Sequence, residues 1–234
     1  MDETTQVNGI LYIVSTPIGN LKDISFRAVE VLAEVSLIAA EDTRRTQVLL
    51  DHYQIKSATT SYYDFNKEQK TPIIINKLKS GASVALVSDA GTPGVSDPCY
   101  YLIREAIKEN IPVTTIPGPV AFIPALLLSG LPLHRFVFEG FLPAKKGRHT
   151  KLTELSEEKR TIIFYESPHR IEKTLNQILE YFGNRRIALV KELTKLHETV
   201  IRGTAQEILD RIGSISLKGE WVIVVEGAKE EKKK

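Results

Sequence analysis

Two loops in this chain carry the residue types that ligand chemistry needs. Ser15-Thr16-Pro17-Ile18-Gly19-Asn20 ends the apolar run Ile10–Ser15, and Asp89-Ala90-Gly91-Thr92-Pro93-Gly94-Val95-Ser96-Asp97-Pro98 follows Val84–Ser88. Glycine lets a backbone approach a ligand closely, and proline fixes the path of the loop. A carboxylate at a strand end can accept hydrogen bonds from a ligand amine or hydroxyl. A tight turn would account for either loop alone. The length of the second, with its Gly, Pro and Asp, points to a ligand instead.

Three further clusters could do chemistry. In Glu41-Asp42-Thr43-Arg44-Arg45-Thr46, Glu41 or Asp42 can cap a helix whose first turns carry Arg44 and Arg45. Those guanidinium groups could grip a phosphate in bidentate fashion or pair with a nearby carboxylate. The stretch Phe141–Lys151 sets Lys145, Lys146 and Arg148 beside an aromatic, which suits an RNA backbone or a solvated loop. In Phe164–Arg170 a strand ends on the acidic Glu166, and Pro168 starts a helix with His169 and Arg170 at its entrance.

Several familiar chemistries are missing. No GxGxxG follows the first strand, and neither GxxxxGK[ST] nor GxSxG occurs. The five histidines are scattered without an HExxH pattern. Cys99 is the only cysteine, which excludes an intrachain disulfide and a clustered cysteine metal site. No metal is therefore expected.

These loops need elements to hold them. Across 234 residues, 42% hydrophobic and 26% charged, short β-rich runs alternate with segments of helical period. That alternation predicts an α/β protein. Strands are expected at Ile10–Ser15, Ser36–Ala40, Ser83–Ser88 and Pro112–Ile116, then at Arg135–Glu139, Arg160–Tyr165, Arg186–Val190, Glu198–Arg202 and Trp221–Glu226. Helices are expected from an Asp23 cap to Ser36, over Thr43–His52, over Asn66–Ser80 with Pro72 better suited to a first turn, and over Pro98–Asn110. Val120–Ser129 reads as an apolar helix buried between layers. Gly147–Glu158, Pro168–Phe182 and Thr204–Ile212 complete the helices. Consecutive strands in the second half predict a mixed sheet there. The pattern changes near Gly118, giving an expected lobe at 1–117, a second at 118–228 and a charged tail at 229–234. Two α/β lobes with a cleft between them are the expected architecture.

Net charge is only +2, so a nucleic-acid role would have to rest on local clusters rather than on the whole chain. No run is long and apolar enough to span a membrane, because Pro119, Pro124 and Pro132 break the most apolar region. The N-terminus Met-Asp-Glu-Thr-Thr is unlike a signal peptide, which makes the cytoplasm the expected compartment.

Seven segments, taken in order, resemble one family's motif series: Leu11–Ala28, Glu41–Thr46, Leu86–Pro98, Ile116–Ala121, Gly140–Pro143, Phe164–Arg170 and Lys191–Lys195. The family is the ribosomal RNA small-subunit cytidine 2′-O-methyltransferases, within the tetrapyrrole methylase superfamily. The resemblance implies S-adenosylmethionine in the cleft between two α/β lobes, commonly a homodimer, and a cytidine of 16S ribosomal RNA in the 30S subunit as target. It assigns cofactor binding to Pro17, Ile18, Gly19, Asp89, Ala90, Gly91, Thr92, Val120, Ala121, Tyr165, Glu166 and Leu193. Val120 departs from the pattern, which would carry a serine there. Some relatives carry a further C-terminal helical segment, for which this chain ends too soon. Arg44, Arg45, Lys145, Lys146, Arg148 and Arg170 are the candidate RNA-binding residues. A ribose hydroxyl must also lose its proton, and Asp42 and Glu166 are the candidate bases. A methylase of tetrapyrroles, or an RNA-binding protein with a dead cofactor pocket, would share much of this sequence.

Overall fold

The computed structural model describes residues 8–95 and 99–229. Met1–Val7, the Ser96-Asp97-Pro98 end of the second loop and Glu230–Lys234 of the tail lie outside the described residues. The chain divides into two compact units, Met1–Val120 and Ala121–Lys234, against the boundary expected just before Gly118.

The first unit is a parallel sheet of β1 (Leu11–Val14), β2 (Leu37–Ala40), β3 (Thr59–Ser61), β4 (Val84–Val87) and β5 (Val113–Ile116), in the order β3-β2-β4-β1-β5. Its helices are α1 (Phe26–Glu34), α2 (Thr43–His52), α3 (Lys67–Lys79) and α4 (Tyr100–Lys108). Side chains alternate across a strand, so β4 sends Val84 and Leu86 to one core and Ala85 and Val87 to the other. Helices α3 and α4 cover the first face with Ile74, Ile75, Leu78 and Leu102. Helices α1 and α2 cover the second with Leu32, Leu49 and Leu50. All four β4 residues are buried, as a strand covered on both faces requires. Each large side chain buried this way contributes about 1.5–3 kcal/mol.

Three local readings are corrected here. Helix α1 is capped by Ser25, whose side chain accepts from Ala28 N, while Asp23 closes a short 3-10 turn at Leu21–Asp23. Pro72 lies inside α3, not in its first turn; the buried face of Thr71, Ile74, Ile75 and Leu78 holds the helix despite one missing donor. Strand β3 was not expected at all, being three polar residues long.

The second unit is a mixed sheet, as predicted, built from β6 (Phe136–Phe141), β7 (Thr161–Glu166), β8 (Arg186–Lys191), β9 (Thr199–Thr204) and β10 (Trp221–Val225). Its order is β6-β7-β10-β8-β9, with only β6 and β7 parallel. Helices α6 (Arg148–Ser156), α7 (Ile171–Phe182) and α8 (Ala205–Asp210) pack on one face around Phe164, Leu175, Leu189 and Ile223. Helix α5 (Phe122–Ser129) also packs on this sheet, against β7, β8, β9 and β10. It is buried on one side only: Ala125 and Leu126 are covered, but Leu127 is 62% exposed. Helix α8 starts with a capping box, in which Thr204 and Glu207 satisfy each other's backbone N–H groups.

Candidate functional site

Parallel strands bring their carboxyl ends to one edge, and the sheet order puts the ends of β2, β4, β1 and β5 side by side there. The two glycine–proline loops meet at that edge. Thr16 and Gly91 form an antiparallel bridge, with Thr16 N donating to Gly91 O at 2.9 Å and Gly91 N to Thr16 O at 3.0 Å. The hydroxyls of Ser15 and Thr92 lie 2.9 Å apart, and Thr92 Oγ1 donates to Pro119 O at 3.0 Å. The loops after β1, β4 and β5 are thus tied into one shelf. Two glycines make it possible. Gly91 has φ of +83°, and any Cβ at Gly118 would lie 2.8 Å from Ser15 Cβ.

Pro17 and Ile18 are half-buried on this shelf, Gly91 is buried, Thr92 is half-buried, and Gly19 and Ala90 are exposed. Val120 and Ala121 are half-buried at the junction of the two units. Ser15 and Thr16 went unassigned from sequence, although both are buried polar residues at a strand's carboxyl end.

Asp89 is held from several sides. Its Oδ1 accepts from Asp42 N at 2.9 Å, its own N–H donates to Glu41 Oε2 at 3.3 Å, and Arg45 Nη1 lies 3.4 Å from Oδ2. Its side chain keeps 28% exposure, leaving lone-pair capacity for a ligand. Asp42 caps α2 through Arg44 N and also takes both arms of the Arg44 guanidinium, at 3.0 and 2.7 Å. That hydrogen bonding pulls the Asp42 carboxyl down to about 2. Arg44 and Arg45 are otherwise open, their side chains 89% and 66% exposed.

The second unit treats similar residues in the opposite way. Glu166, at the end of β7, has a fully buried carboxylate. Its Oε1 accepts from Ser167 N at 2.8 Å and meets Arg170 Nε at 2.6 Å. Its Oε2 accepts from Thr174 Oγ1 at 2.7 Å and lies 3.5 Å from Arg148 Nη2. Arg148 is the clearest correction to the expected RNA contacts. Only 4% exposed, it spends its donors on Gln177 Oε1, Pro143 O and Thr174 Oγ1. Burial pulls its guanidinium below the ordinary value, against the opposing pull of Glu166. Arg170 is half-buried in the same cluster, whereas Lys145 and Lys146 are exposed.

Beside that cluster, the Tyr165 ring meets Phe138 and Phe141 edge-on at 5.0 and 5.5 Å, and burial pushes its phenol up to about 12. Leu193 is buried in a turn whose neighbours Glu192 and Thr194 both have positive φ, 52° and 65°. Such strain in non-glycine residues gathers at functional sites. Among the described residues, Thr194 Oγ1 is the buried side-chain oxygen left without a hydrogen-bond partner. No group of three His, Cys, Asp or Glu side chains able to hold a metal occurs among the described residues, and no helix there is long and apolar enough to cross a membrane.

Within the first unit, a shelf of loop backbone and a partly exposed carboxylate suit a small polar ligand. The comparisons give the class first. The family model of tetrapyrrole (corrin/porphyrin) methylases matches residues 10–209. The fold agrees: the chain superposes on uroporphyrin-III-C-methyltransferase from Thermus thermophilus with a TM-score of 0.67 at 21% identity, covering 93% of this chain and 94% of that one. A cobalt precorrin-4 methyltransferase superposes with a TM-score of 0.70 at 16% identity over the same shares.

Sequence relatives are nearer. The ribosomal RNA small subunit methyltransferase I of Halalkalibacterium halodurans is 49% identical over 94% of this chain and 76% of its own length. That of Thermotoga maritima is 46% identical over 94% of this chain and 99% of its own. The chain belongs to the tetrapyrrole methylase family, in the branch of the small subunit methyltransferase I proteins. It is a methyltransferase.

Proposed function

We propose that this chain transfers a methyl group from S-adenosylmethionine to the ribose 2′-hydroxyl of a cytidine in 16S ribosomal RNA, acting on the 30S subunit as a homodimer. The carrying observation is the shelf at the carboxyl edge of the first sheet, where Thr16 pairs with Gly91 and Ser15 reaches Thr92. The substrate reading follows the relatives of 46–49% identity, all named for ribosomal RNA. The tetrapyrrole alternative rests on the broad family to which the chain belongs and on structures no more than 21% identical, a likeness of fold alone.

The cofactor fits the groups present. Pro17, Ile18 and Gly19 line one side of the shelf and Ala90, Gly91 and Thr92 the other, with Asp89 able to accept from an amine or hydroxyl. S-adenosylmethionine supplies a sulfonium methyl that is already electrophilic. The protein's work is then chiefly alignment, since a well-oriented pair of reactants can gain roughly 7–11 kcal/mol from positioning. Neither candidate base is well placed to take the hydroxyl proton. Asp42, held near 2 by Arg44, is a weak base at neutral pH. Glu166 has both oxygens occupied and no exposed surface.

The test is transfer of a labelled methyl group to purified 30S subunits, followed by nucleoside mass spectrometry of the digested RNA. The expected product is 2′-O-methylcytidine, and a 2′-deoxycytidine at the target should abolish transfer. A methyl group on the cytosine ring would defeat the ribose assignment.

A further inference from the structure

Tyr62 and Tyr63 are adjacent and have opposite fates. Tyr62 is 1% exposed, its hydroxyl 3.0 Å from Thr71 Oγ1, as expected of the inward side of a strand end. Tyr63 points outward at 40% exposure, and Phe65 two residues on is 96% exposed. Their rings meet edge-to-face at 6.4 Å.

The turn that carries them is tightly fastened. Asn66 Oδ1 accepts from Tyr63 N at 2.9 Å, and Asn66 N and Lys67 N both donate to Tyr63 O at 3.0 Å. Asn66 Nδ2 reaches back to Ser61 O and Ser61 Oγ, at 3.2 and 3.3 Å. Two aromatic rings displayed on a rigid turn are costly for solubility and well organised for stacking.

Sheet register fixes what lies beside them. Ala40 pairs with Ser61, and Tyr62 N donates to Ala40 O at 2.7 Å. The chain leaving β2, with Arg44 and Arg45 at the start of α2, therefore emerges next to Tyr63. Strand β4, which ends at Asp89, lies one strand beyond β2. With strands spaced about 4.8 Å apart, the ring pair begins about 10 Å from the Asp89 loop along the same edge.

We infer that Tyr63 and Phe65 form a stacking platform for an unpaired RNA nucleotide near the target, with Arg44 and Arg45 holding its phosphates. Exposed rings take bases through their faces without regard to sequence, and neighbouring guanidinium groups supply the charge complementarity that RNA needs. The inference rests on RNA as the substrate class and adds to it a place and a mode of contact.

The test measures binding of the full chain to a fluorescent, unstructured cytidine-containing oligoribonucleotide at several salt concentrations. The double variant Tyr63→Ala/Phe65→Ala should bind roughly tenfold more weakly or worse. Its log-affinity against log-salt slope should stay at the wild-type value, because no phosphate contact is removed. Arg44→Ala/Arg45→Ala should flatten that slope. Tyr63→Phe/Phe65→Trp should restore binding, and S-adenosylmethionine affinity, read by calorimetry, should not move in any ring variant. Unchanged RNA affinity in the alanine variant, or full binding by Tyr63→Leu/Phe65→Leu, would overturn the platform. So would a switch from dimer to monomer in sedimentation, which would assign the rings to a second copy of the chain. Failure of the wild-type chain to bind RNA at all would instead overturn the substrate reading beneath it.

Discussion

Asp42–Arg44 in the first unit and Glu166–Arg148 in the second are the same chemical pair in opposite surroundings. The first lies open at a sheet edge, beside Asp89 and Arg45. The second is sealed, with side chains 0% and 5% exposed and every oxygen of Glu166 engaged. An open pair can exchange partners with a ligand at little cost, since water already screens it. A sealed pair cannot, because each ion left alone would be stranded away from water. Conserving charge in a motif therefore says nothing about its job until burial is known. Here the open cluster is available for recognition, and the sealed one fastens β7, α6 and α7 together.

The sharpest way to break this contrast is Glu166→Gln. It leaves Arg148 and Arg170 facing a neutral amide inside the protein, and should cost about 3–5 kcal/mol of stability. Urea denaturation of the purified variant reads this directly. A loss below about 1 kcal/mol would mean the cluster is not the fastening described. Arg148→Ala should fall in the same range by the same logic, which separates it from the exposed lysines beside it.

Asp89→Ala should act on binding rather than on folding. Removing a charge-assisted acceptor costs about 1.5–3 kcal/mol, and we expect it in the affinity for S-adenosylmethionine measured by calorimetry. Unaltered affinity in a folded variant would remove Asp89 from the cofactor site and leave it a brace between Asp42 and Arg45.

Smaller still is the effect of Lys145→Ala/Lys146→Ala. These side chains are exposed, so stability should hold. RNA affinity should fall, and its log–log salt slope should flatten by about 0.7 per lost phosphate contact. An unchanged slope would make this stretch a solvated loop.

Much of this was legible because it was periodic or local. The apolar run over Val84–Val87, followed by a loop of Gly, Pro and Asp, announces both a buried central strand and the edge at which the two glycine–proline loops meet. The helix expected at about Thr43–His52 forms there, because a capping carboxylate precedes it; the sequence left Glu41 and Asp42 both open as that cap, and the structure assigns it to Asp42. What failed to show was whatever depends on partners far along the chain. Arg148 looked like one cation in a basic run, since nothing in Lys145–Lys151 reveals Glu166, Thr174 and Gln177 waiting in other elements. Strand β3 was invisible because Thr59, Thr60 and Ser61 gain their ladder from β2 rather than from their own hydrophobicity. Thr194 was unremarkable in sequence, since backbone strain and a missing hydrogen-bond partner belong to the fold alone.

The smallest expected effect sharpens the open half of the comparison. If the Arg44 guanidinium holds Asp42 as drawn, carboxyl-detected NMR should titrate Asp42 with a midpoint near 2, well below the usual 3.8. A lowered folded-state pKa means that the pairing stabilises the protein above the ordinary carboxylate range. That contribution fades as pH falls from about 4 through 2, and it is fully present at neutral pH. Its size is small, because both partners face water and salt screens them. In Arg44→Ala the midpoint should climb back towards 3.8, though not completely, since the backbone N–H at position 44 still donates to the cap. A wild-type midpoint near 4 would show that Asp42 is unpaired in solution. Asp42 would then return as a candidate for the base that takes the ribose proton, and the open cluster would have a catalytic as well as a binding role.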